Sequence, residues 1–247
     1  MRLLCFESGS VAANLALDEA LLMAVNDGRS PATFRTWSPW APAVVLGIGS
    51  ELGRECDIER CRLRRVEIRR RCSGGASVLL ERGGLCASLV APFEELREEF
   101  RTIAGAHTLL GRAIVDALDR LGIEARCAGI SDVAVGDLKL AGLSQSRKRR
   151  ALLVHASVLV NPDMELMSDL LSHPPEEPDY RRRRSHPEFL TSLDEVLGPG
   201  RMHGFARALA DCSGARRKSE EPSASEVSLA AELELGKYLN PDWTARR

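Results

Sequence analysis

Between residues 11 and 23, apolar side chains recur around Asn14, Asp18 and Glu19 at the spacing of an amphipathic helix. Residues 31–42 carry Phe34, Trp37 and Trp40 into an apolar run over 43–46 that stops at Gly47-Ile48-Gly49, a strand and a tight turn. Helix-forming composition covers 56–65, and partial alternation predicts a strand over 66–71. Strand-like residues 77–80 and 85–91, with Gly83-Gly84 between them, read as a hairpin. Over 93–121, Ile103, Leu109, Leu110, Ile114, Val115, Leu118 and Leu121 mark one or two helices closed by Gly122. Two further strands are expected at 133–135 and 152–160, the second stopping at Asn161-Pro162.

Beyond that point the texture changes. Pro174-Pro175-Glu176-Glu177-Pro178 reads as a rigid linker, 181–184 as a basic run, 214–225 as a mobile loop and 227–238 as a last helix ending at Asn240-Pro241. The pattern predicts an α+β core over 1–163 and a mainly helical C-terminal extension of the same domain over 164–247, with no separate accessory domain.

Composition narrows the function. The 247 residues hold 34 Lys plus Arg against 35 Asp plus Glu, a net charge of −1, so sequence-independent nucleic-acid binding lacks electrostatic support. No apolar run reaches the ~18 residues of a membrane span, and the N-terminus lacks the apolar core of a signal peptide. Seven cysteines without a CxxC pair fit free thiols in a reducing compartment; a cytoplasmic protein with no metal site is expected.

Three segments bear chemistry. Arg70-Arg71-Cys72-Ser73-Gly74-Gly75-Ala76-Ser77-Val78 sets planar donors for phosphate or carboxylate before glycines that let a backbone approach a ligand, or that merely turn between strands. Lys139, among apolar neighbours with Gly142 three residues on, suits charge stabilisation on a phosphoryl or acyl oxygen, or is an exposed lysine in a hairpin turn. His155 stands inside a strand pattern, as a site residue or a satisfied sheet histidine. The glycines complete neither GxGxxG nor GxxxxGK[ST], and no serine sits in a GxSxG elbow.

Taken in order, five segments resemble the biotin/lipoate protein ligase superfamily, in its lipoate–protein ligase A and octanoyltransferase branch. They are Asn14-Leu15-Ala16-Leu17-Asp18-Glu19, Phe34-Arg35-Thr36-Trp37, residues 70–78, Lys139-Leu140-Ala141-Gly142-Leu143-Ser144-Gln145 and His155-Ala156-Ser157-Val158-Leu159. The resemblance spans roughly residues 14–161. It implies a mixed β-sheet flanked by helices, related to the catalytic core of class II aminoacyl-tRNA synthetases. It also implies an enzyme that joins lipoate or octanoate to ATP as an acyl-adenylate. The acyl group then passes to a lysine of a lipoyl-domain protein, such as a 2-oxoacid dehydrogenase subunit or the glycine cleavage H protein. On this likeness Lys139 is catalytic, touching acyl carbonyl and phosphate. Arg70, Arg71, Ser73, Gly74, Gly75, Ala76, Ser77, Val78, Leu79, Gly142 and His155 hold nucleotide and acyl group, and Mg²⁺ neutralises the leaving pyrophosphate. The acyl chain lies in a tunnel beside the glycine loop.

The chain also departs from the family pattern. Ala76 stands at the third loop glycine, Leu80 where many ligases have histidine, Ser144 at the end of a usual Gly-x-Ala, and Ala156 where a glycine usually follows the histidine. The octanoyltransferases use a cysteine thioester without ATP. One type keeps that cysteine where this chain has Leu152, and another upstream of the lysine, where Cys127 lies twelve residues before Lys139. An ATP-independent transferase through Cys127 is therefore the alternative, and a non-catalytic acyl-binding relative a second. Two-domain ligases carry a C-terminal accessory domain, for which this chain would need a partner subunit unless it is a transferase, which lacks that domain. The basic runs at 147–150 and 181–184 read as solvated faces, or as docking sites for an acidic lipoyl domain.

Overall fold

The computed structural model describes residues 1–246. The chain opens with β1 (Arg2–Cys5), and α1 (Val11–Asn26) crosses over to β2 (Thr33–Trp37), which lies parallel beside β1. The device repeats in β3 (Ala43–Leu46), α2 (Leu52–Glu55), α3 (Ile58–Arg64) and β4 (Glu67–Arg70), with β3 and β4 parallel. Then come β5 (Val78–Leu80), β6 (Leu85–Pro92), α4 (Ile103–Asp119), β7 (Arg126–Ala128), β8 (Asp132–Val135), β9 (Leu138–Arg147) and β10 (Ala151–Val158). The rest is α5 (Met164–Leu170), α6 (His186–Phe189), α7 (Leu193–Leu197), α8 (Met202–Cys212), β11 (Ser219–Glu220), α9 (Ala224–Leu233), a π turn over Glu234–Tyr238 and α10 (Pro241–Thr244).

Eight strands form one mixed sheet in the order β11-β1-β2-β6-β10-β9-β8-β7, and β4-β3-β5 forms a second. The core divides across the large sheet: α4 and α8 bury Leu110, Ile114, Phe205 and Leu209 on one face, and α1 lies on the other. Among the described residues, no helix is long and apolar enough to cross a membrane, and all seven cysteines are free.

The structure corrects several expectations. Every residue of α1 except Met23 and Asn26 is buried, so it is not amphipathic. It is squeezed between sheet and α9, and its acids survive burial only because each is paired. Glu19 accepts from Lys237 Nζ and Tyr238 Oη, both at 2.7 Å, which is where the π turn delivers them. The expected hairpin is a corner instead: β5 pairs with β3 in the small sheet, while β6 pairs with β2 and β10 in the large one. Gly83 supplies the turn at φ +81°, but pairing partners are chosen by the rest of the fold. The helix expected over 56–65 is present as α3 but begins two residues later, because the Asp57 side chain caps it by accepting from Arg60 N. Stretch 214–225, read as a loop, contains β11. Arg181, read as part of a solvated face, is buried with its guanidinium 4.9 Å from the Phe189 ring centroid.

The two ends of the chain are tied together. β11 lies parallel against β1, and the Arg2 guanidinium makes a two-pronged contact with the Glu226 carboxylate at 3.1 and 2.6 Å.

Candidate active site

The large and small sheets diverge at the β5–β6 corner, and a cavity of about 850 Å³ opens between them. Its floor is the α1-facing side of the large sheet. There Arg35, Ser88, His155 and Ser144 stand opposite one another on β2, β6, β10 and β9, so their side chains share one face. Its roof is β3, β5 and the glycine loop over 71–78, and the segment over 171–190 closes one side.

The loop is held from within by Arg71. Its buried guanidinium donates to Val45 O, Gly74 O, Ala76 O and Ser73 Oγ, satisfying carbonyls that a tight glycine turn would otherwise strand. Burial pulls its pKa down to about 10, which leaves it charged at neutral pH. Glu55 accepts from both Ser77 N and Ser77 Oγ at 2.8 Å. Ser144 Oγ donates to Gly74 O at 2.7 Å, which stitches the loop to β9. Gly75 sits at φ +79° and presses its carbonyl onto Gly47, where a Cβ would lie 1.9 Å from the oxygen. Gly47→Ala is therefore expected to cost about 1–3 kcal/mol and to displace the loop, measured as a lower Tm together with shifted loop amide resonances. An unchanged Tm would show that the loop is not packed on β3.

A second chain of contacts runs through the floor. Ser73 Oγ lies 2.6 Å from His155 Nε2, and His155 Nδ1 lies 3.8 Å from Asp18 Oδ2. Asp18 Oδ1 accepts from Arg35 Nη1 at 2.6 Å and from Ser88 Oγ at 3.0 Å. Burial alone would raise the Asp18 pKa, but Arg35 and His155 facing it bring it below the usual carboxylate value.

Lys139 projects from the start of β9, where the chain also bridges to Leu190. Its Nζ is 2.7 Å from Asp132 Oδ1, and a Cβ on Gly142 would lie 3.0 Å from that nitrogen. The buried Asp132 also accepts from Tyr180 Oη at 2.8 Å, which fixes the carboxylate that aims the lysine. Burial first, and then the neighbouring Asp132 charge, push the Tyr180 phenol upward, so it remains a donor. Nearby, burial together with the charges of Arg181 and Lys139 holds His186 down to about 4, so that imidazole is neutral at pH 7.

Of the residues singled out from sequence, Lys139, Arg71, Gly74, Gly75, Ala76, Ser77, Val78, Leu79, Gly142 and His155 all line this cavity. Ser73 lies just behind it, on His155. Arg70 turns away instead: it donates to Gly47 O and Ser50 O on one side and Thr244 O on the other, holding the β3–α2 turn and the C-terminal segment. Cys127 is also elsewhere. It sits on edge strand β7 with its Sγ against α4, 2.9 Å from where a Cβ on Gly111 would be, and burial raises its pKa. Sequence reading assigned no role to Asp18, Arg35, Asp132 or Tyr180. The first two fall in the quoted motifs, whereas the Tyr180 contact spans 48 residues and leaves no local signal.

The lipoyl protein ligase A/B catalytic domain family matches residues 10–212, and the chain belongs to that family. Octanoyltransferase LipM of Kyrpidia tusciae is 29% identical over 100% of this chain and 98% of its own length. A solved structure of the bi-partite lipoate protein ligase and E2 lipoyl domain of Thermoplasma acidophilum shares the fold. It has a TM-score of 0.84 and 23% identity, covering 99% of this chain and 95% of that one. A lipoate-protein ligase A bound with ATP gives a TM-score of 0.78 at 25% identity, over 99% and 98% of the two chains. The similar proteins thus include an octanoyltransferase by name and a lipoate-protein ligase A solved with ATP bound.

Proposed function

We propose that this chain attaches lipoate or octanoate to a lysine of lipoyl-domain proteins through an acyl-adenylate. The observation that carries the reading is the meeting of Lys139, clamped by Asp132, with the backbone of the glycine loop in one cavity, while the Cys127 thiol faces α4. In the first step a carboxylate oxygen of the acid attacks the α-phosphorus of ATP, the bond to the β-phosphate breaks and pyrophosphate leaves. In the second, the amine of the acceptor lysine attacks the acyl carbon and AMP leaves with the bonding electrons. The Lys139 ammonium offsets charge on the phosphoryl and acyl oxygens in both steps, and the loop fixes their approach. Mg²⁺ enters on the triphosphate. Acceptors are lipoyl domains of the 2-oxoacid dehydrogenase and glycine cleavage type, and a partner subunit is consistent with the bi-partite relative.

The full-length likeness to an octanoyltransferase favours a second reading, transfer from octanoyl-acyl carrier protein through Cys127. One assay separates the two. With octanoate, ATP and Mg²⁺, acyl-AMP and pyrophosphate are expected by mass spectrometry, and Cys127→Ser is expected to make them at the wild-type rate. An octanoyl adduct on Cys127 from the carrier protein, with no acyl-AMP, would reverse the choice. Binding of the acid without either product would leave a non-catalytic acyl binder.

A further inference from the structure

A single helical turn does not hold itself together in water, so α10 (Pro241–Thr244) is kept in place by clamps at either end. At one end Lys237 Nζ and Tyr238 Oη both donate to the Glu19 carboxylate on α1, and Lys237 Nζ lies 4.1 Å from the Trp243 ring centroid. At the other, Trp243 Nε1 donates to Arg70 O at 2.9 Å, and Arg70 Nε and Nη2 donate back to Thr244 O at 3.0 and 2.8 Å. The remaining nitrogen of that guanidinium, Nη1, donates to Gly47 O at 2.6 Å and Ser50 O at 2.7 Å. The turn it holds carries the glycine loop. Ile48 N donates to Ser73 O at 2.8 Å, Ser50 Oγ to Gly75 O at 3.4 Å, and Gly47 lies against the Gly75 carbonyl. Arg70 is wholly buried, so water does not replace a carbonyl that moves away from its rigid planar fork. A shift of Thr244 is therefore passed to the turn, and from the turn to Gly74, Gly75 and Ala76 in the cavity roof.

We infer that the segment 237–244 is a positioning element of the candidate active site: through Arg70 it sets where the glycine loop stands, and a ligand seated on the loop tightens the segment in return. The inference rests on the reading of the loop as a ligand cradle and adds residues that act on it from behind the cavity, Arg70 and Trp243 above all. The two directions are one coupling. Whatever factor the segment contributes to ligand affinity, the ligand contributes to the closure of the segment. A clamp that only completed the fold would be indifferent to the ligand.

Two measurements on the full chain test it, with circular dichroism as the fold control. Trp243→Phe keeps a ring beside Lys237 but removes the donor to Arg70 O, and Arg70→Lys keeps the charge but not the fork. Without ligand, both are expected to shift the amide resonances of Gly74, Gly75, Ala76 and Ser77. In the second measurement ATP with Mg²⁺, or octanoate, is added alone to saturation. Hydrogen exchange at the amides of Thr244 and Ala245, which donate to Asn240 O and Pro241 O, is expected to slow about tenfold in wild type. In Trp243→Phe that slowing should be lost and the affinity for the same ligand should fall by the same factor. Loop resonances unmoved in both variants would overturn the inference, as would a ligand that shifts the loop in wild type without slowing exchange at Thr244 and Ala245. Should Arg70→Lys not fold, Trp243→Phe alone decides. Variants that move the loop in a protein that binds neither ATP nor octanoate would overturn the acyl-adenylate reading and support the link from segment to loop.

Discussion

Lys139→Ala is expected to lower acyl-adenylate formation by about 10²–10³-fold, the scale on which single preorganised charge-stabilising donors act. The substitution has a second consequence, because it removes the cation paired with the buried Asp132 carboxylate, which then keeps the hydrogen bond from the Tyr180 hydroxyl. A lost counterion in a buried pair destabilises the fold, so a fall in Tm accompanies the loss of rate. Lys139→Met combined with Asp132→Asn separates the two effects: the neutral pair is expected to recover Tm but not turnover. Product at the wild-type rate in that double variant would remove the lysine from the chemistry.

The largest effect on stability is expected at Arg35, which is wholly buried. Its guanidinium donates to Phe6 O, Asn14 O, the Asn14 side chain and Asp18 Oδ1. Arg35→Met strands those acceptors and leaves the Asp18 charge unpaired, at a cost of about 3–5 kcal/mol. For a chain of this size that lowers Tm by roughly 6–20 °C. The pH dependence has a definite sign. The folded-state pKa of Asp18 lies below its unfolded value, so the pair's contribution is complete above about pH 4. It is lost as pH falls through the folded-state value. Urea melts at pH 7 and pH 3 should therefore show the gap between wild type and Arg35→Met narrowing in acid. A constant gap would mean that Asp18 does not titrate against Arg35.

Elements whose register is written locally were legible. The 43–46 strand is β3 (Ala43–Leu46), and the long apolar series over 93–121 contains α4 (Ile103–Asp119). Arg71 and the residues from Gly74 to Leu79, which line the cavity, were legible through the family resemblance, since a glycine loop on its own reads equally well as a turn between strands. Misreadings came where distant partners decide. A Gly-Gly turn between two strands says nothing of which sheets they join. Gly142 interrupts the alternation of β9, so its ten residues went unseen although it pairs along most of its length with β10. Arg70 and Arg71 are adjacent and chemically identical, yet where β4 ends at Arg70 the extended backbone sends the two side chains to opposite sides. One braces the loop beside the cavity while the other holds the turn behind it.

The tie between Arg2 and Glu226 has a consequence for biosynthesis. These residues are 224 positions apart, so β1 waits for its outer neighbour β11 until more than two hundred further residues have been made. At about 5–20 residues per second that delay is roughly 10–45 s. Throughout it one edge of β1 offers unpaired backbone groups to any other strand nearby. The nascent chain thus carries an open strand edge through this delay, and ribosome-bound intermediates stalled before residue 219 should be engaged by chaperones more than those that have passed it.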